Sequence, residues 1–272
     1  MGVLNVTPDS FFDGGRYADR DRALAHARRM LDEGAAIIDI GGESTRPGAT
    51  PTPEQQEIDR VLPLLDALRA ECDQRGVPLS VDTRKAAVMR AAIAAGASMV
   101  NDINALRADG AVEAIANSGA AVCLMHMQGE PLTMQNNAVY DGDVVAVVAA
   151  FLAARAAACV RAGIDRERIA VDPGFGFGKT VAHNLELLRR MDEIAALGYP
   201  VIAGVSRKST IGILTGRPVD ERAAGSLAAA LAAVAHGATL LRVHDVRQTV
   251  DALKVWEAVS QGRPADGAPG SA

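Results

Sequence analysis

A repeating alternation restricts the fold more than any other feature of this chain. Short apolar runs rich in Val and Ile end abruptly in turn-forming polar residues and alternate with longer Ala/Leu/Arg/Glu stretches of helical periodicity. The apolar runs lie at 3–6, 36–40, 79–81, 99–100, 120–125, 169–171, 201–205 and 240–243. The clearest helical stretches are 20–33, 53–73, 85–95, 142–162, 182–195 and 220–236. Near-continuous apolar runs of this length suit strands buried on both faces, as in parallel sheets. Gly34, Gly76, Gly96, Gly119, Gly163, Gly198 and Gly237 stand between a helical stretch and the next strand, where a helix is expected to stop. About eight such units in roughly 250 residues match a closed (β/α)8 barrel in count and length. A doubly wound open sheet is the competitor, but it would have fewer strands or a second domain.

A chain of 272 residues could form one domain or two. No linker or shift in composition divides it, so a single α/β domain is expected over 1–261. The Gly/Pro/Ala-rich end, 262–272, is expected to be a disordered tail. The first strand starts almost at the first residue, so a leading segment that would cover the bottom of a barrel is expected to be missing. Aromatic residues are 3% of the chain, so the core must be built from Ala, Val, Leu and Ile.

The net charge of −5 argues against a nucleic-acid partner and means that an anionic substrate must be held by local cations. No uninterrupted apolar stretch reaches the ~20 residues of a membrane span, and the N-terminus has no signal-peptide pattern. Cys72, Cys123 and Cys159 are odd in number, far apart and without metal-ligand spacing, which fits the reducing cytoplasm.

The polar residues at the ends of the apolar runs form a consistent set: Asn5, Asp39, Asp82-Thr83-Arg84, Asn101-Asp102, His126, Asp172-Pro173, Ser206-Arg207-Lys208-Ser209 and Arg242-Val243-His244. In a barrel these converge on the C-terminal mouth. Any one of them alone reads best as a turn former or helix cap. Polar ends on almost every strand are harder to explain as independent caps. Asp and Asn on neighbouring strands can bind a heterocycle that carries an amide-like N–H and an amino group. Arg242, His244 and Asn5 come from the last and first strands, which meet when a barrel closes. Two potential cations beside an oxygen ligand suit an anion with Mg2+, such as a pyrophosphate.

Two signals point elsewhere. The segment 173–180 ends like a nucleotide-binding P-loop, but Pro173 occupies the first glycine position and two phenylalanines interrupt it. A flexible glycine-rich rim loop is the better expectation. His26, His183 and His236 fall within helical stretches and read as surface or packing residues.

The motifs LNVTPDSFFDGG (4–15), DIGGESTRPGA (39–49), SVDTRK (80–85), VNDI (100–103), LMHMQG (124–129), DPGFGFGKT (172–180), GVSRKS (204–209) and RVHDV (242–246) run end to end. In content and order the chain resembles the dihydropteroate synthase family. The resemblance implies a (β/α)8 barrel that joins 6-hydroxymethyl-7,8-dihydropterin pyrophosphate to p-aminobenzoate, with Mg2+, in folate biosynthesis. It implies that Asp82, Asn101, Met125, Asp172 and Lys208 hold the pterin, and that Asn5, Thr45, Arg242 and His244 hold the pyrophosphate. Lys208, Arg242, His244 and Asp82 would serve catalysis, and Asn5 would be the metal ligand. Phe11, Thr45, Pro47 and Ser209 would border the p-aminobenzoate and sulfonamide pocket, and 7–17 and 41–55 would be loops that close over the substrates. A homodimer is the family expectation. A pterin-dependent methyltransferase would share the Asp and Asn residues but has no use for the Lys208 loop or for Arg242 and His244. An inactive pterin-binding relative would be expected to lose the motifs at 7–11 or 44–48, and both are intact.

Overall fold

The computed structural model describes residues 1–7, 15–44, 49–129, 133–134 and 138–262. Strands β1 (Gly2–Asn5), β2 (Ile38–Gly41), β3 (Leu79–Asp82), β4 (Met99–Asp102), β5 (Ala121–Met125) and β6 (Ile169–Asp172) pair in that order, all parallel. The last two strands, β7 (Ile202–Ala203) and β8 (Leu240–Leu241), form a short parallel pair. Two single bridges close the ring, Val171 to Val201 between β6 and β7, and Val243 to Gly2 between β8 and β1. Val171 N donates to Pro200 O at 2.9 Å, and Val3 N donates to Val243 O at 3.0 Å. The sheet therefore returns to its first strand, which excludes the open doubly wound alternative and makes the expected (β/α)8 barrel.

The described helices are α1 (Gly15–Asp32), α2 (Glu54–Arg75), α3 (Ala86–Ala94), α4 (Ala111–Ala116), α5 (Val144–Arg161), α6 (Val181–Arg189), α7 (Met191–Ala195), α8 (Ser209–Thr215), α9 (Ala223–Ala235) and α10 (Val246–Gln261). The helical stretch 182–195 is split at Arg190, which leaves helical geometry (φ −117°) and pairs with Asp143, Glu186 and Glu193. Gly76 stops α2 in the left-handed conformation, as expected. Gly119 has no such φ, because the Ser118 hydroxyl makes that turn by bonding Ile115 O and Ala120 N. Gly262 caps α10, and the expected tail beyond it falls outside the described residues.

Side chains alternate across each strand. Leu4, Ile38, Ile40, Leu79, Val81, Val100, Val122, Leu124, Ile169 and Val171 meet the helices in one continuous core. The opposite faces fill the bore. Met1, Met99, Cys123, Ala170 and Ile202 form a separate apolar plug towards the N-terminal end. Asp39, Ser80, Asp82, Asn101, Asp172 and Arg242 lie on the same inward faces, towards the C-terminal end. Helix α5, 18 residues long with Arg155 inside it, is long and apolar enough by composition to cross a membrane. One face of it, including Val145, Val148, Leu152 and Ala156, is buried in the barrel core, and Arg155 donates to Ala105 O and Leu106 O.

The segment 173–180 is not the flexible rim loop expected of it. It is packed onto the end of β5, with Phe175, Phe177 and Lys179 all buried. Lys179 Nζ lies 2.9 Å from both His126 Nδ1 and Gly174 O, and 3.1 Å from Phe177 O. Burial lowers the Lys179 pKa to about 7; in its charged form it can only donate, and His126 then accepts through Nδ1 with its proton on Nε2. Gly174 (φ 71°) touches so closely that a Cβ there would sit 1.9 Å from His126 O. Gly174→Ala should therefore lower unfolding free energy by about 2 kcal/mol or more. A urea titration checks this, and wild-type stability would contradict it.

Candidate active site

The bore places one charged group at its centre. Arg242, from the end of β8, donates through Nε to Asp39 Oδ2 at 2.7 Å and through Nη2 to Asp82 Oδ2 at 2.6 Å. Burial disfavours its charge, but Asp39 and Asp82 outweigh that and hold Arg242 above its ordinary range. Burial pushes Asp82 up to about 7 against the pull of Arg242. Asn101 extends the set, its Nδ2 reaching Asp39 Oδ2 at 3.4 Å. Asn101 Oδ1 and Asp39 Oδ1 are buried without a hydrogen-bond partner. Native interiors rarely leave such acceptors unpaired, so this pair is an observation that points to a ligand.

Asp172 closes the far side. Its Oδ1 accepts from Gly174 N at 2.6 Å, and its Oδ2 faces Gly204, where the missing Cβ leaves room. Burial raises the Asp172 pKa, partly offset by the Gly174 N–H and by Lys208. The Lys208 ammonium stands 4.1 Å from the centre of the Phe177 ring. Burial, then Arg242, lowers its pKa to about 8, so it remains mostly charged at neutral pH. Gly41 lies between Asn5 and Asp82, where a Cβ would come within 3.4 Å of Asn5 Oδ1.

His244 Nδ1 lies 3.1 Å from Ser206 Oγ, which also accepts from the His244 backbone N–H. Burial, with Arg242 next, lowers its pKa to about 4. Of the two potential cations expected beside Asn5, Arg242 is the charged one, and it is held by two carboxylates. His244 is neutral at pH 7.

Asn5, Asp82, Asn101, Met125, Asp172, Lys208, Arg242 and His244 thus stand at one mouth, as the alternation requires. Two other strand-end residues face away. Asp102 points out of the bore and accepts from Asn104 N and Leu106 N, both at 2.7 Å, shaping the turn after β4. His126 belongs to the Lys179 cluster. Ser209 is exposed as the first residue of α8. Phe11, Thr45 and Pro47 lie outside the described residues, as do parts of both expected loops. Phe177 was hidden from sequence reasoning inside the segment taken for a rim loop; the lysine after it was the only signal that this loop has a buried anchor.

The model of the pterin binding enzyme family matches residues 1–244. The chain belongs to the pterin binding enzyme family. Among curated relatives, the dihydropteroate synthase of Haemophilus influenzae is 51% identical over 260 residues, covering 96% of this chain and 93% of its own. Among solved structures, Xanthomonas albilineans dihydropteroate synthase with 4-aminobenzoic acid superposes with a TM-score of 0.89 at 52% identity, covering 98% of this chain and 93% of that one. The same enzyme in complex with 7,8-dihydropteroate gives 0.86 at 49% identity, with the same two coverages. For a pterin binding enzyme the orphaned acceptors have a natural partner, since the ring's amino and amide edge supplies N–H donors.

The neutral state of His244 is testable by NMR. Its ring signals should not titrate between about pH 5.5 and pH 8, where an ordinary histidine passes its midpoint. A midpoint near 6.5 would contradict the buried, cation-flanked environment.

Proposed function

We propose that this chain catalyses the dihydropteroate synthase reaction, condensing 6-hydroxymethyl-7,8-dihydropterin pyrophosphate with p-aminobenzoate to give 7,8-dihydropteroate and pyrophosphate. The single observation that carries this reading is the polar set at the mouth of the bore, in a chain about half identical to named synthases over nearly its whole length. Asn101 Oδ1 and Asp172 Oδ2 accept from the N–H edge of the pterin, and Lys208 donates to its ring carbonyl. Asp82, held by Arg242, completes the donor–acceptor match, and Met125 and Phe177 bound the ring.

The methylene C–O bond breaks with both electrons leaving on the pyrophosphate. The electron-rich dihydropterin delocalises the resulting cation, so the displacement is SN1-like. The p-aminobenzoate nitrogen then forms the C–N bond and loses one proton. A weak aniline nucleophile suffices for a cation, and no strong protein base is needed. Arg242 and His244 stand beside the leaving group, where oriented donors stabilise developing negative charge. By the family resemblance Thr45 joins them, and Phe11, Thr45, Pro47 and Ser209 border the p-aminobenzoate and sulfonamide pocket.

Among the described residues no cluster of His, Cys, Asp and Glu could cage a metal ion. Asn5 offers one amide oxygen, which Gly41 leaves uncrowded by lacking a Cβ. That donor set fits a Mg2+ ion that takes most of its oxygens from pyrophosphate and water. When bound, such an ion would neutralise charge on the leaving group. Reduced, buried Cys72, Cys123 and Cys159 support a cytoplasmic setting.

The partner we propose is a second copy of the chain. Leu185 on α6, Ile213 and Leu214 on α8, and Val219 are 42%, 68%, 58% and 52% exposed. Leu185 and Leu214 also line an apolar groove of about 300 Å3 between α6, α8 and α9. Sedimentation should show a dimer that Ile213→Glu with Leu214→Glu dissociates; a wild-type monomer would overturn this.

The activity is tested by pyrophosphate release from the pterin substrate with Mg2+. Release that depends on p-aminobenzoate and yields dihydropteroate is expected. Pterin binding without release would favour an inactive relative. Lys208→Ala should lose roughly 100-fold or more in turnover with the fold intact by circular dichroism. Near wild-type turnover would remove Lys208 from the site.

A further inference from the structure

Two motif residues, Arg207 and Asp245, have no part in the chemistry above. Arg207 precedes Lys208, and Asp245 follows His244. Arg207 is one of three described non-glycine residues with positive φ, at 57°. A side chain in that conformation is strained and persists only where its surroundings fix it. Here they do so on the backbone and the side chain alike. Arg207 N donates to Ser226 Oγ at 2.9 Å, and Arg222 Nη1 donates to Arg207 O at 3.1 Å. The guanidinium makes a bidentate pair with Asp245, Nε to Oδ2 at 3.0 Å and Nη2 to Oδ1 at 2.5 Å. The Asp245 side chain is 11% exposed and the Arg207 side chain 32%, so the pair is partly shielded from solvent and its strength rests on the bidentate geometry.

The location gives this pair its meaning. Strands β7 and β8 share a ladder of only two residues, and their C-terminal ends continue as irregular chain. Those ends carry Lys208 and His244; beyond the ladder His244 N donates to Ser206 Oγ at 3.2 Å, and the Arg207–Asp245 pair is a second tie, one residue further along each segment. The left-handed turn at Arg207 directs the Lys208 ammonium back over Phe177. The ion pair then ties that turn to the residue after His244.

We propose that Arg207 and Asp245 are a positioning pair that holds Lys208 and His244 at a fixed separation. Neither touches substrate. The pair lets one molecule meet the ring-carbonyl contact and the pyrophosphate contact together. This rests on the reading under Proposed function, in which those two residues hold opposite ends of the pterin pyrophosphate.

Arg207→Asn and Asp245→Asn test it: asparagine tolerates the left-handed backbone at position 207, and at position 245 it keeps the size of aspartate without its charge, so each removes the ion pair without forcing the chain. In both variants kcat/KM for the pterin substrate should fall about 100-fold, the scale of a small misplacement of reacting groups. The KM for p-aminobenzoate should not change. Inorganic pyrophosphate and 6-hydroxymethylpterin, measured separately by calorimetry, should each bind within a few-fold of wild type. The double variant should be no worse than either single one, and Arg207→Lys should recover part of the loss. Amide exchange over 205–209 should quicken in both single variants. Unchanged kcat/KM, or equal loss for both separate ligands, would overturn the pair's role. A wild-type protein that releases no pyrophosphate would instead defeat the functional reading. In that case exchange over 205–209 still decides, and unchanged exchange overturns the proposal.

Discussion

The Arg242 guanidinium, buried between Asp39 and Asp82, is the interaction on which the rest of the bore depends. It reaches from the last strand of the barrel to the second and third. Three charges leave water to form it, at a desolvation penalty of several kcal/mol per ion. Two charge-assisted hydrogen bonds offset much of that, and the cation keeps two carboxylates tolerable in a region with little solvent. Loss of Arg242 would leave both carboxylates uncompensated, which is costlier than an apolar bore would be.

The same arrangement explains why the mouth is ready for a neutral heterocycle with an anionic tail. Burial raises Asp82 against the pull of Arg242 and raises Asp172, while Lys208 is lowered but still mostly charged. Carboxylates from β2, β3 and β6 thus face the cations of Arg242 and Lys208 across the bore. What remains unsatisfied is directional: acceptor oxygens on Asn101 and Asp39 with no donor inside the protein. The apolar plug of Met1, Met99, Cys123, Ala170 and Ile202 closes the opposite end of the bore. A ligand therefore has one way in and a preformed hydrogen-bonding edge to meet.

Much of this is legible in the sequence, because burial on both faces and polar strand ends are local signals. The eight runs become eight strands, and Asn5, Asp82, Asn101, Asp172, Lys208, Arg242 and His244 share a mouth. The failures have a common cause. Whether a strand-end residue faces the bore depends on a period-2 register that a shift of one residue inverts. Asn101 therefore enters the site while Asp102 turns out to shape a loop. Long-range partners are equally invisible: nothing near Arg242 in sequence announces Asp39, and nothing near Lys179 announces His126. The segment 173–180 looked flexible because its glycines are turn residues. In the fold they let the loop approach His126 O and Gln128 O more closely than any side chain would allow.

The central claim is that the orphaned acceptors in the bore are there to receive the pterin edge. Calorimetry with 6-hydroxymethylpterin, comparing wild type with Asn101→Ala, tests it most directly. One site per chain is expected in the wild type, with roughly tenfold or weaker binding once the Asn101 amide is removed. Equal affinity in the two proteins would contradict the claim, and would place the ring somewhere other than the mouth of the barrel.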